Sequence, residues 1–172
     1  DILGNTGTTN GTNFIGTTDN VALDVRTNNI IKHRFTQQGQ IEFLNTGRSV
    51  FLGEGAGTND DLISNFNVMV GYNAGFTNTT NTHNTGIGFE ALYLNTAGSN
   101  TAVGAAAMRN TTTGATNAAF GSGALQDNLT GTYNVAIGPL ALNRNKGGAA
   151  ATAIGVMAMG YANDAVAYNE SG

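Results

Sequence analysis

Apolar and polar positions follow one rule up to about residue 48 and another beyond it. In the first stretch apolar side chains alternate with polar ones: Val21, Leu23 and Val25, then Ile31, His33 and Phe35, then Ile41 and Phe43. A period of two is the signature of a strand with one face half-buried. Thr27-Asn28-Asn29 and Gln37-Gln38-Gly39 separate the runs and supply turn chemistry. This predicts a small three-stranded meander. From about 49 to 160 the pattern Asn-x-small-aliphatic-Gly-x-x-Ala recurs. Its glycines are Gly53, Gly71, Gly88, Gly104, Gly121, Gly138 and Gly155, at gaps of 18, 17, 16, 17, 17 and 17 residues. A near-constant period means one unit stacked on copies of itself. Asn13-Phe14-Ile15-Gly16 reads as an early, degenerate copy of the same motif.

Each core glycine is taken as position 0 of its unit. Position −1 is apolar throughout: Leu52, Val70, Ile87, Val103, Phe120, Ile137 and Ile154. Position −2 is mostly small: Phe51 and Met69, then Gly86, Ala102, Ala119, Ala136 and Ala153. Position +3 is always alanine (Ala56, Ala74, Ala91, Ala107, Ala124, Ala141, Ala158), and +4 becomes Leu or Met in the later five units. Strand side chains alternate between faces, so −1 points one way and −2 and 0 the other. Neither face is polar. The expectation is a strand buried on both sides, with a close approach on the small side. A solenoid of this size buries only one face of each strand, so a second copy is expected on the other.

The remainder of each unit is polar and turn-rich. Asn81, Gly114, Gly131 and Gly148 at −7 predict a tight corner with left-handed backbone. Asp60, Asn78, Asn95, Asn128 and Asn145 at +7 predict a second one. Asn67, Asn84, Asn100, Asn117 and Asn134 at −4 predict an asparagine ladder, each amide bonding its neighbours in adjacent rungs. Two short strands and two corners fit 17 residues. A helix does not, because Gly and β-branched Thr are too frequent between the apolar positions. The organisation expected is a β-strand cap or docking segment over 1–48, β-roll repeats over 49–160 and an end segment over 161–172.

Composition narrows the partners. Only 10% of the 172 residues are charged and the formal net charge is −4. No basic cluster exists for phosphate neutralisation, so nucleic acid is not expected. No apolar run approaches the ~18 residues of a membrane span, so membrane insertion is not expected. Cysteine is absent, which excludes disulfides and thiolate metal sites. The chain opens on Asp1 instead of Met, as expected of a processed, trimmed or partial product.

Asn134-Val135-Ala136-Ile137-Gly138-x-x-Ala141 and Asn100-Thr101-Ala102-Val103-Gly104-x-x-Ala107 resemble the head repeats of trimeric autotransporter adhesins, the YadA-like head. The match covers roughly 49–160, with a spacing somewhat longer than the family's. The resemblance implies a left-handed parallel β-roll with three chains around one axis, and Val103, Ile137 and their equivalents in the inner strands. Ser49 and Ala151 stand where the repeat asparagine belongs in the first and last units, which marks both as end units. Asn13 to Asn20, with Arg26-Thr27-Asn28-Asn29, is similar to stretches of phage tail-fibre-like proteins. That likeness implies a fibre from which a self-cleaving chaperone has been removed.

Candidate chemistry is sparse. His33 and His83 have no convergent partners placed by spacing. Asp60-Asp61 with Asn59, Asn65 and Asn67 offers oxygens, but neither EF-hand nor nonapeptide calcium spacing is present, and solvated turn acids are the preferred reading. Glu42, Glu54, Glu90, Asp127 and Asp164 are scattered, and Phe and Tyr read as dispersed, with no visible groove. Gly53-x-Gly55-x-Gly57 lacks the lysine and helix of a phosphate loop. The expectation is therefore a protein that is not an enzyme, with no cofactor and no metal. Its partners are further copies of itself, as a homotrimer able to join end to end, and a host-surface glycan or protein. Its place is extracellular, on a cell surface or a virion fibre. The alternatives are a subunit of a self-polymerising filament and, less favoured, a polysaccharide depolymerase domain.

Overall fold

The computed structural model describes residues 15–161, and the copy of the core motif at 13–16 and the end segment at 161–172 fall largely outside them. The chain divides into two compact units, up to Leu44 and from Asn45. In the first, β1 (Leu23–Thr27), β2 (Ile30–Phe35) and β3 (Ile41–Phe43) form an antiparallel meander. The pairings Leu23↔Phe35, Val25↔His33, Phe35↔Ile41 and His33↔Phe43 put the alternating apolar residues on one face. Asp24, Arg34 and Glu42 share the other. Arg34 Nε donates to Asp24 Oδ1 at 2.7 Å, and that guanidinium, helped by Arg26, holds the Asp24 carboxyl below its ordinary range.

The second unit is a parallel β-solenoid. β4 (Val50–Leu52), β5 (Val68–Val70), β6 (Thr85–Ile87), β7 (Thr101–Val103), β8 (Ala118–Phe120), β9 (Val135–Ile137) and β10 (Thr152–Ile154) form one seven-stranded sheet in sequence order. Every pairing is in register, so equal repeat positions stack: Ala102 on Ala119, Ala119 on Ala136, Ala136 on Ala153. Each coil contains one three-residue strand, not two. The opposite wall is a turn-rich ribbon that still bonds rung to rung, as in Leu92 N–H to Ala107 O and Met108 N–H to Ala124 O, at 3.1 and 2.9 Å. Its residues at +2 and +4 take left-handed backbone, among them Glu90, Leu92, Ala106, Met108, Leu140 and Leu142. Such a conformation costs a non-glycine residue about 1–2 kcal/mol. Burial of the Leu and Met side chains at +4, worth about 1.5–3 kcal/mol each, offsets it.

The faces of the strand are the reverse of the expected close contact with a partner. Position −2 points into the coil: Met69, Ala102, Ala119 and Ala136 are fully buried, against the Ala at +3 and the Leu or Met at +4 of their own chain. The close approach on the small side is therefore internal. Position −1 points out. The interior admits one large side chain per rung, and either wall can supply it. In the first two rungs it comes from the strand, Phe51 and Met69, and +4 is glycine; a Cβ on Gly57 would sit 2.3 Å from the Phe51 ring, and one on Gly75 2.6 Å from Met69 Sδ. In the other five rungs the strand residue is Gly or Ala and +4 is Leu92, Met108, Leu125, Leu142 or Met159.

The two expected corners are one. Asn128 Nδ2 donates to Gly131 O at 2.9 Å and Asn145 Nδ2 to Gly148 O at 3.0 Å, so +7 closes the corner that −7 occupies. Gly114, Gly131 and Gly148 do not have left-handed backbone. They are glycine for space: a Cβ on Gly131 would lie 2.3 Å from Gly148 O. The left-handed residues of this corner are at −5, namely Phe66, His83, Ser99, Thr116 and Tyr133.

Candidate functional site

The asparagines at −4 form a buried column, but their amides chiefly bond backbone, not one another. Asn67 Oδ1 accepts Asn84 N–H at 2.8 Å, Asn84 Oδ1 accepts Asn100 N–H at 3.0 Å, and Asn100 Oδ1 accepts Asn117 N–H at 2.9 Å. Asn117 and Asn134 continue the series to Ala151 N–H. Each Nδ2 also reaches the corner carbonyl of the next coil, for example Asn134 to Gly148 O at 2.7 Å. The ladder has a direction. Its first member needs an acceptor, which Ser49 Oγ supplies to Asn67 N–H at 2.9 Å. Its last needs only the backbone donor that Ala151 has. These are structural bonds; buried polar groups without partners would each cost about 1–3 kcal/mol.

The core glycines form a second column. From Gly53 to Gly138, a Cβ would fall 2.4–2.6 Å from the next core glycine's carbonyl group. Among the alanines at +3, Ala74, Ala91, Ala107, Ala124 and Ala141 are fully buried, and Ala158 packs against the cluster they form. Of the residues singled out in the repeat core, those at −1 carry the large apolar side chains that reach solvent; among the core glycines Gly53 and Gly155 are exposed and the five between them half-buried. Ile87, Phe120, Ile137 and Ile154 are 38–69% exposed, with Val70 and Val103 half-buried between them. Together with position −3, where Val50, Val68, Thr101 and Val135 are half-buried, they make a flat, uncharged stripe along all seven strands.

Beside the stripe lies a feature that spacing in the linear chain conceals. Tyr72 and Phe89 both hold position +1 and stack with centroids 5.6 Å apart; Phe76 and Tyr93 both hold +5 and stack at 5.3 Å. Arg109, the next residue in the +5 column, lies over Tyr93 at 5.0 Å and donates from Nε to Glu90 Oε2 at 2.5 Å. Four of the aromatics that read as dispersed, Tyr72, Phe76, Phe89 and Tyr93, are thus two short columns. The signal that could find them is their shared repeat position.

The other candidates stay apart. His33 meets Phe43 edge-on at 5.1 Å in the meander; His83, in the solenoid, stacks on Phe66 at 5.4 Å and has Thr82 Oγ1 2.9 Å from Nδ1. Asp60 replaces an asparagine of the corner series, and its oxygens already receive Leu62 N–H, Asn65 Nδ2 and Asn67 Nδ2 at 2.8–3.0 Å. Asp61 Oδ1 receives Ile63 N–H and Asn65 Nδ2. These donors engage both Asp60 oxygens and Asp61 Oδ1, and among the described residues no three His, Asp or Glu side chains gather into a metal-sized group. Among the described residues, too, no helix is long and apolar enough to cross a membrane. The meander carries an open apolar cleft of about 630 Å³, lined by Leu23, Val25 and Phe35 with the chain from Ile15 to Val21.

Comparison with protein-family models, with curated proteins and with solved structures finds no match to this chain.

Proposed function

We propose that this chain is a non-enzymatic structural and adhesive segment of an extracellular fibre, assembled as a homotrimer through its seven-stranded sheet. The observation that carries the reading is the stripe at −1. A coil that buries its small residues inside and turns Leu, Val, Ile and Phe outward at every rung leaves a continuous apolar face, and such faces mark interaction surfaces. The face repeats along the solenoid without charges that would select a different partner, so copies of itself suit it. Covering it contributes about 1 kcal/mol for each half-exposed side chain. Three left-handed rolls around one axis, the arrangement implied by the resemblance to YadA-like heads, would cover all three stripes at once. A stack of in-register rungs resists bending, which suits a spacer. Three copies of each flank give weak contacts the gain of multivalency.

Light scattering and electron micrographs of the purified chain test this. The expected species is a trimer at micromolar concentration, and Ile137→Glu should convert it to monomer while the β-type circular dichroism persists. A wild-type monomer overturns the reading, and long filaments would favour end-to-end polymerisation instead. Release of oligosaccharides from bacterial polysaccharides, abolished by Glu90→Gln or Asp127→Asn, would make it an enzyme.

A further inference from the structure

We infer that the open ring face of Phe89 is a binding subsite for a neutral pyranose unit of a glycan. This deepens the adhesive half of the proposed function and does not depend on the trimer.

The two aromatic columns begin alike and end differently. Both start in the same rung, with Tyr72 at +1 and Phe76 at +5, and both continue into the next, with Phe89 and Tyr93. The rings are nearly parallel within each column, at 11° and 14°. One rung further on, the columns diverge. At +5 the outer face of Tyr93 is covered by the Arg109 guanidinium. At +1 the next residue is Ala105, and after it Ser122. Tyr72 occupies one face of Phe89; toward the other, the stack offers nothing larger than a methyl group. Phe89 remains 53% exposed.

The gap left there is one rung deep, about 4.8 Å along the solenoid. Ring systems stack with centroids about 4.5–7 Å apart. A pyranose seated on Phe89 would therefore take the place of the missing third ring, above Ala105. Its C–H-bearing face suits the negative face of the aromatic quadrupole.

Two polar side chains near this column in the chain are Glu90, which follows Phe89, and Arg109, four residues beyond Ala105. They neutralise each other, so they would recognise hydroxyls and not an ion. Arg109 is further tied to Asn110 Oδ1 at 3.1 Å, and Asn110 Nδ2 to Asp127 Oδ1 at 2.7 Å, so the polar rim is held before any ligand arrives. Arg109 uses two of its five N–H groups in these bonds and keeps donors for a ligand; Glu90 keeps acceptor lone pairs. Prior fixation lowers the ordering cost of binding.

The test uses the full chain in its solution assembly, titrated with maltohexaose, cellohexaose and mannohexaose and followed by saturation-transfer NMR and calorimetry. At least one should bind with a Kd of about 10 mM or tighter. Phe89→Ala, which removes the ring, and Ala105→Phe, which fills the shelf by extending the stack, should each weaken that binding at least about tenfold. Tyr133→Ala, an exposed aromatic in a different column, should leave it unchanged. Because Ala105→Phe adds a stacking partner, it keeps the test open if Phe89→Ala fails to fold. The inference is overturned if no probe binds, or if binding survives both variants. It is equally overturned if Ala105→Phe changes the assembly mass, which would place the shelf in a subunit contact. A trimer that binds none of the probes leaves the spacer reading intact, whereas a monomer that binds one removes the trimer and keeps the subsite.

Discussion

At the scale of single residues, the solenoid is held by columns in which each member has one neighbour on either side. The core glycines show how steep that dependence is. Gly138 has φ of 124°, and a Cβ there would lie 2.4 Å from Gly155 O. Gly155 has nearly the same φ, 126°, but its Cβ would meet only Ala158 Cβ at 3.8 Å. Gly155→Ala should therefore carry the conformational cost alone, about 1–3 kcal/mol. Gly138→Ala should add an overpacking cost of about 1–3 kcal/mol on top of it. Thermal melts of the two variants check this, and equal losses would mean that the stacked backbones can separate freely. Thr111 makes the opposite case. It stands where Asn78, Asn95, Asn128 and Asn145 close their corners, and its Oγ1 is, among the described residues, the one buried side-chain polar atom without a partner. Thr111→Asn restores an amide that can reach the carbonyl of Gly114, three residues on, as Asn128 reaches Gly131. A gain of about 1 kcal/mol is expected, or a rise in Tm of roughly 2–4 °C for a chain of this size. A lower Tm would show that the coil cannot admit the longer side chain.

At the scale of the rung, the governing quantity is volume. Met69 with Gly75 and Gly86 with Leu92 are two solutions to one packing problem. Met69→Ala alone should leave a cavity and cost about 2–5 kcal/mol. Gly75→Leu alone should overpack and cost about 1–3 kcal/mol. The double variant recreates the arrangement of the later coils, with Leu at a left-handed position that Leu92, Leu125 and Leu142 already occupy. It should recover to within about 1 kcal/mol of the parent, and additive losses in denaturant melts would refute the one-large-residue rule. The same rung shows what is legible in the sequence. The constant spacing of Gly71, Gly88 and Gly104 is enough to place the strands, their register and the parallel stack, because each repeat position has one fate. Which face turns inward is not legible. Bulk at −1 suggests core and Ala at −2 suggests contact, but a coil whose interior is filled from +4 has room only for the small face. The corner misleads for a related reason. Gly131 is required by the closeness of Gly148 O, while the left-handed backbone falls on Tyr133 and Thr116, residue types that rarely signal it. The aromatic flank escapes a linear reading because Tyr72 and Phe89 are 17 residues apart in the chain and one rung apart in space.

At the scale of the whole molecule, a stack with only nearest-neighbour contacts should behave as a one-dimensional array, in which a coil can be removed without disturbing the rest. The solenoid's long-range pairing runs through glycine and strand columns present in every coil and an asparagine column that Ser49 and Ala151 end. Few charges take part, the Glu90–Arg109 ion pair among them. Deleting residues 105–121, one full period, joins Gly104 to Ser122 and regenerates the core motif as Thr101-Ala102-Val103-Gly104-Ser122-Gly123-Ala124-Leu125. Asn100 would then face Asn134, and the ladder would close. The shortened chain should fold, melt cooperatively at a somewhat lower temperature, and lose about 4.8 Å of length, read by small-angle scattering. Deleting 105–113 instead removes a near half-period. It puts strand residues opposite corner residues, leaves several ladder amides unpaired at about 1–3 kcal/mol each, and should not fold. If both deletions are tolerated alike, register does not hold the stack together. If neither is, the coils are not independent units, and a rigid spacer whose length is set by the number of repeats is the wrong description of this chain.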